Sequence, residues 1–210
     1  ASGGATCVVA RPYARRLTLI GTGEQAEHHL TAMLAVRPIE AVHIVGRRAD
    51  RAADFAQKAA AAHPGLTLSH GTDAQQGVSG ADIICTVTTS PTPVISGDWL
   101  EPGQHLNIVG ASIPSKREVD DATVLRAAIW VDYRASALAQ AGELVDMIAA
   151  EVISADHIQA EIGAVLAGEA AGRADASRSA RAAVGCTRSS TTMTAPIQRV
   201  CAATARSTLR

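Results

Sequence analysis

Aromatic side chains are almost missing from this chain: two Trp, two Tyr and one Phe in 210 residues. Base-stacking platforms and aromatic-cornered sandwiches both need more of them. The core must therefore come from Ala, Val, Ile and Leu. Net charge is close to absent as well, at −1 near neutral pH, which argues against a partner held by bulk charge, whether nucleic acid or membrane. No apolar run approaches the ~18 residues of a membrane span. The opening Ala1-Ser2-Gly3-Gly4 carries neither a basic leader nor a long apolar stretch, so no signal peptide is read there. The cysteines Cys7, Cys85, Cys186 and Cys201 are scattered, with no Cys-x-x-Cys pair. Zinc knuckles and dithiol redox motifs thus lack support, and a reduced, cytoplasmic setting is expected. Cys85, in Ile83-Ile84-Cys85, reads as a buried small hydrophobe. Gly-x-Ser-x-Gly and similar nucleophile signatures are missing, which leaves hydrolase chemistry unsupported. His28 and His29 are neighbours on a helix and face different directions, so no metal site is expected from them.

Acidic residues are missing from one region in particular. Beyond Asp175 the chain has six Arg, no Lys and no acid; that +6 leaves −7 for the rest of a chain whose total is −1. The stretch is rich in Ser, Thr, Ala and Arg and poor in apolar periodicity. It reads as a disordered basic arm that touches anions, as a solvated irregular extension, or as an out-of-frame translation product.

What is present is an α/β pattern. Hydrophobic residues make up 47% and charged residues 19%, enough for a packed core. Strand-like runs are Leu17–Ile20, Val42–Val45, Leu66–Leu68, Asp82–Thr86, His105–Val109 and Ile129–Val131. Helical spacing covers Glu24–Val36, a segment capped by Asp50 and running to about Ala62, and stretches near Ala135–Gly142 and Ile158–Leu166; Asp120-Asp121 can cap a short helix that ends near Arg126. Short apolar strands alternating with helices imply a doubly wound parallel sheet of Rossmann type. Such sheets bind ligands at the carboxyl ends of their strands.

The chemistry should therefore follow Ile20, Val45, Thr86 and Val109. Gly21-Thr22-Gly23-Glu24-Gln25-Ala26 joins the first strand to a helix. In this pattern the first Gly permits the tight turn, the second lets backbone approach a diphosphate, and Ala26 packs closely in place of a third Gly. Free N–H groups at the helix start then hold the diphosphate. The second strand ends Val45-Gly46-Arg47-Arg48, with Arg51 one turn on. An acid there would select NAD(H) by accepting from the ribose; two guanidiniums suit a 2′-phosphate, so NADP(H) is expected to be preferred, with NAD(H) possible. Solvated surface arginines are the competing reading. Thr86 and Thr88 can line the ribose and nicotinamide end, and Val109-Gly110-Ala111 leaves room for a flat ring.

Taken together, these residues resemble the ornithine cyclodeaminase/mu-crystallin family. The resemblance rests on Gly21–Ala26, Gly80–Thr88, Pro93-Val94, Gly97–Gly103, His105–Ala111, Trp130–Asp132, Gly142–Leu144 and Glu161–Gly163 with Gly168. It implies a homodimer with a Rossmann domain and a separate substrate and dimerisation domain. It also implies hydride transfer between a nicotinamide and a carbon bearing nitrogen, on an amino acid or cyclic imine. Cyclodeaminases carry an Asp where this chain has Ser112, and a serine is a far poorer proton acceptor. That favours ketimine reduction over ornithine cyclisation, with a silent NADPH-dependent binder as a third reading. Ser112 is the candidate catalytic residue, as a hydrogen-bond donor to substrate or simply a turn residue before Pro114. Three segments are expected: 1–16 as the remnant of a preceding segment, 17–173 as the NAD(P) domain, and 174–210 as an irregular basic tail. The resemblance further suggests a fragment whose end is divergent or frameshifted.

Overall fold

The computed structural model describes residues 2–110, 113–173 and 181–184. Its strands are β1 (Arg16–Ile20), β2 (Ala41–Val45), β3 (Thr67–Gly71), β4 (Ile83–Thr86), β5 (His105–Ile108), β6 (Ala128–Val131), β7 (Ile158–Glu161) and β8 (Arg181–Val184). They form one sheet in the order β3-β2-β1-β4-β5-β8-β6-β7. Every pairing is parallel. The helices are α1 (Ser2–Val9), α2 (Glu24–Val36), α3 (Ala49–Ala62), α4 (Ala74–Val78), α5 (Asp121–Arg126), α6 (Arg134–Gln140), α7 (Gly142–Ala149) and α8 (Ile162–Ala167).

The doubly wound sheet follows from which residues point to each face. Leu17, Leu19, Val42, Ile44, Ile83 and Cys85 pack with Leu30, Met33, Ala52 and Ala56 of α2 and α3. Ile20, Ile84, Leu106, Ile108, Ile129 and Val131 pack with Val124, Ala137, Leu144 and Met147 of α5, α6 and α7. Successive strand residues thus alternate between two buried faces, which is why the runs read as continuously apolar. Cys85 is fully buried and free, with its thiol pushed up to about 12 by burial.

Four local expectations change. Asp50 lies in the first turn of α3; the N-cap position is Arg48 and has no side-chain cap bond. The stretch read as helix over Ile158–Leu166 divides into β7 and α8, because Ile158 pairs with Ile129 at the sheet edge. The helix near Ala135–Gly142 stops at Gln140, and α7 begins separately at Gly142. Within the segment expected to be an irregular tail, Arg181–Val184 is a strand between β5 and β6, with Ala183 and Val184 buried. The rest of 174–210 lies outside the described residues. Asp120 does cap α5, accepting from the Thr123 N–H.

The segment before β1 packs onto the domain. Ala5 and Val9 of α1 meet Trp130, Ile162 and Val165. The Arg37 guanidinium, 7% exposed, donates to the carbonyls of Thr6, Cys7, Ala10, Arg11 and Val36 and so closes the carboxyl end of α1. Burial lowers its pKa to about 10. Among the described residues no helix is long and apolar enough to cross a membrane.

Candidate functional site

Strand order reverses at β1, which has β2 on one side and β4 on the other. A crevice opens at such a switch point, outside the carboxyl ends of the strands. Gly21 enters it with φ +126°, a conformation that side chains rarely adopt. Its N–H donates to Val45 O at 2.9 Å, and the Val87 N–H donates to Ile20 O at 2.9 Å, so the turn is stitched to both neighbours. A Cβ on Gly21 would lie 2.6 Å from Val87 O.

Gly23 differs. It is the extended N-cap of the 13-residue α2, it makes no side-chain cap bond, and among the described residues nothing lies within 4 Å of where its Cβ would be. The start of α2 lies beside that open space, with the Ala26 N–H turned back to Gly23 O at 2.9 Å, and the helix dipole adds positive potential there. Ala26 is fully buried behind them. Glu24 and Gln25 are exposed. Glu24 is 3.7 Å from His28.

Gly46 is buried at the end of β2, its Cβ position 2.9 Å from Thr22 Cγ2, so the second strand end abuts the glycine turn. Arg47, Arg48 and Arg51 are exposed beside it. Arg48 is not free: its Nε and Nη2 hold both oxygens of Asp50. A recess of about 230 Å³ lies between α2 and α3, lined by Thr22, Gly23, Glu24, Arg51 and Lys58 among others.

The far side of the crevice is organised by a residue the sequence did not advertise. Glu118 is fully buried. One carboxylate oxygen accepts from the Thr88 N–H and hydroxyl, both at 2.7 Å. The other accepts from the Thr86 hydroxyl at 2.8 Å, Gly110 N–H at 2.5 Å and Val109 N–H at 3.2 Å. Thr86, Thr88, Val109 and Gly110 are thus gathered on one anion. Thr86 is fully buried, with its hydroxyl turned to Glu118; Thr88 is half-buried. Gly110 has to be glycine, because a Cβ would lie 2.1 Å from Thr88 O and 2.5 Å from Glu118 Oε1.

Glu118 is itself fixed. Its N–H donates to Glu143 Oε1 at 2.9 Å, and its carbonyl accepts from the N–H groups of Val94 and Ile95. Glu143, at the start of α7, is fully buried, and burial raises its pKa to about 7. Its Oε2 has no hydrogen-bond partner among the described residues. Ser112 lies outside the described residues.

Glu118 sits in the charged string Lys116-Arg117-Glu118, which has the pattern of a solvated surface. A hint lies just after that string, at Val119, an apolar residue that pairs with Ile95.

Comparison with known proteins agrees with this architecture. The sequence model of the ornithine cyclodeaminase/mu-crystallin family matches residues 1–180. Delta(1)-pyrroline-2-carboxylate reductase of Bacillus thuringiensis subsp. konkukian is 38% identical over 173 residues, 82% of this chain and 53% of the relative. Delta(1)-pyrroline-2-carboxylate reductase of Thermococcus litoralis, solved with NADH and L-proline, superposes with a TM-score of 0.84 at 28% identity, covering 98% of this chain and 61% of that one. Iminosuccinate reductase of Paracoccus denitrificans, solved with NAD+, gives 0.78 at 28% identity, covering 99% and 60%. The chain spans about half the length of the curated relatives it matches.

Proposed function

The chain belongs to the ornithine cyclodeaminase/mu-crystallin family, and from that premise we propose that it is the nucleotide-binding part of an NAD(P)-dependent imine reductase. The substrate class is a small amino-acid-derived imine, such as a cyclic imine carboxylate. The relatives named for pyrroline-2-carboxylate and iminosuccinate reduction support this reading. The observation that carries it is the turn at Gly21–Gly23: left-handed and packed so close to Val87 that no side chain fits, and open where a diphosphate has to enter.

The residues fit a dinucleotide. Gly23 and the first N–H groups of α2 would hold the diphosphate; Gly46 and Arg47 to Arg51 would meet the adenosine ribose; Thr88 and Gly110 would flank the nicotinamide ribose. When bound, a reduced nicotinamide supplies the hydride that adds to the imine carbon. The chain's own contribution is to orient that half and to keep its surroundings fixed. Ser112, in place of an acid, favours reduction over ornithine cyclisation.

For the cofactor we propose NADP(H), since no acid follows β2 and Arg47 is exposed there. NAD(H) is the second reading, favoured by the engagement of Arg48 with Asp50 and by the NADH and NAD+ held by the solved relatives. We further assign residues 17–173, completed by α1 and β8, to the nucleotide-binding unit of a homodimeric, cytoplasmic protein whose remaining part supplies the substrate groups.

Two measurements test the proposal. Calorimetry on the 210-residue chain should show uptake of NADPH, more tightly than NADH; equal or NADH-favoured binding removes the NADP(H) preference. Steady-state oxidation of NADPH by the full-length gene product should occur with pyrroline-2-carboxylate or piperideine-2-carboxylate. Ammonia release from ornithine instead would make it a cyclodeaminase, and binding without turnover a carrier.

A further inference from the structure

The two loops after β4 and after β5 meet through backbone, where the Val109 N–H donates to Thr86 O at 3.1 Å and Gly110 lies against Thr88 O. Both are also held by one side chain, the Glu118 carboxylate, reaching back from a position 30 residues beyond Thr88 and eight beyond Gly110. We infer that Glu118 is a positioning residue: a buried anion that sets the spacing and donor pattern of the nicotinamide-binding loops without touching the cofactor.

The geometry specifies an ionised carboxylate. All five groups aimed at it are donors, and a carboxylate is acceptor-only when ionised. It also decides what the loops can offer. The Thr88 hydroxyl proton is given to Glu118, and its oxygen already accepts from the Ser90 N–H at 3.1 Å. One lone pair is left. Thr88 can therefore accept from a ribose hydroxyl or a carboxamide N–H, and cannot donate to either. Thr86, fully buried with its proton on Glu118, acts only through that carboxylate.

The loop between Gly110 and Glu118 is closed by the same contact, since the side chain at its end holds the N–H at its start. Pro114 and Lys116 carbonyls sit over Gly142, where a Cβ would lie 2.7 and 2.1 Å from them. Glu143, the next residue, holds the Glu118 N–H. Residues 114–118 are thereby tied to the amino end of α7.

Glu118→Gln tests this, because an amide presents N–H to donors whichever way it is turned. The inference rests on the dinucleotide reading, so two probes are used: NADH, and ADP-ribose, which lacks the nicotinamide. In the unmodified chain NADH should bind more tightly than ADP-ribose. In E118Q that ratio should fall by about tenfold, with ADP-ribose affinity held within about twofold. Thr86→Val, which removes one donor to the anion at a buried residue that does not face the cofactor, should move the ratio the same way by a few-fold, and serves if E118Q fails to fold. The double variant should be strongly non-additive. An unchanged ratio overturns the inference, as does ADP-ribose affinity falling in step with NADH. If the unmodified chain binds ADP-ribose as well as NADH, the inference fails while the dinucleotide reading stands. If it binds no nucleotide at all, both fail.

Discussion

The two edges of the sheet solve the same electrostatic problem with opposite signs. At the amino edge Arg37, a buried cation, gathers five carbonyls from the ends of α1 and α2. At the carboxyl edge Glu118, a buried anion, gathers five donors from the loops after β4 and β5. A buried charge is tolerated only when hydrogen bonds replace its water. The difference lies in what each charge holds. Arg37 closes helix ends that have no other task. Glu118 holds loops whose far side faces the crevice. One edge should therefore report on stability, and the other on ligand selectivity.

The largest effect that would sharpen this contrast is at the glycine turn. Gly21→Ala places a Cβ 2.6 Å from Val87 O at φ +126°. It should cost about 1–3 kcal/mol and abolish nucleotide uptake. Gly23→Ala meets nothing within 4 Å. It should leave the melting temperature unchanged and still weaken NADPH by about tenfold or more, because the new methyl occupies the diphosphate's approach. Thermal melts and calorimetry on the pair separate fold from binding; Gly23→Ala binding as tightly as the parent would place the diphosphate elsewhere.

Breaking the amino edge comes next. Arg37→Met leaves carbonyls at the carboxyl end of α1 without donors, at a cost of about 3 kcal/mol in urea unfolding. The folded protein should keep its NADH affinity. A matching loss of affinity would mean that the two edges are not independent.

The carboxyl edge carries its own titration. The Glu143 pKa is raised from 4.5 to about 7, chiefly by burial. The folded chain therefore holds a proton that the unfolded chain has released between those values. Its contribution to stability is complete below pH ~4.5 and is lost as pH rises through 7, on the order of 2–3 kcal/mol by pH 8. Glu143→Gln, which keeps an acceptor for the Glu118 N–H, should remove that slope and be the more stable protein at pH 8. Parallel pH profiles for the two proteins would show that the carboxyl is already ionised when folded.

These edges were not equally legible in the sequence. The glycine turn was, because its signal is local: a strand, three residues, a helix, and spacing that only close backbone approach explains. The sheet's two-sided burial was legible too, since runs such as Ile83-Ile84-Cys85 and Ile129-Trp130-Val131 are continuously apolar. Glu118 was not. Its role depends on donors 8 to 32 residues away, and its neighbours Lys116 and Arg117 give it the pattern of a wet surface. Arg37 was hidden for the same reason: a lone arginine after a helix reveals nothing of the carbonyls that a different helix will bring to it. Ile158–Glu161 was misread because four residues, Ile-Gln-Ala-Glu, are too few to show a period against the helical spacing that follows, and pairing with β6 decides it.

The smallest expected effect concerns the arginines after β2, where the crevice meets solvent. Arg48 is exposed and its guanidinium is held by Asp50. Surface pairs of this kind contribute little to stability, so Asp50→Asn should not move the melting temperature. It should release Arg48 toward a 2′-phosphate, and a released guanidinium can fork onto phosphate oxygens. NADPH affinity should therefore rise by about two- to fivefold, while NADH affinity stays constant. The ratio of the two dissociation constants is the readout, because any general change in the crevice cancels from it. If Asp50→Asn leaves that ratio where it was and Arg47→Ala lowers it, selectivity rests on Arg47 alone, and Arg48 belongs with the charges that only solvate α3.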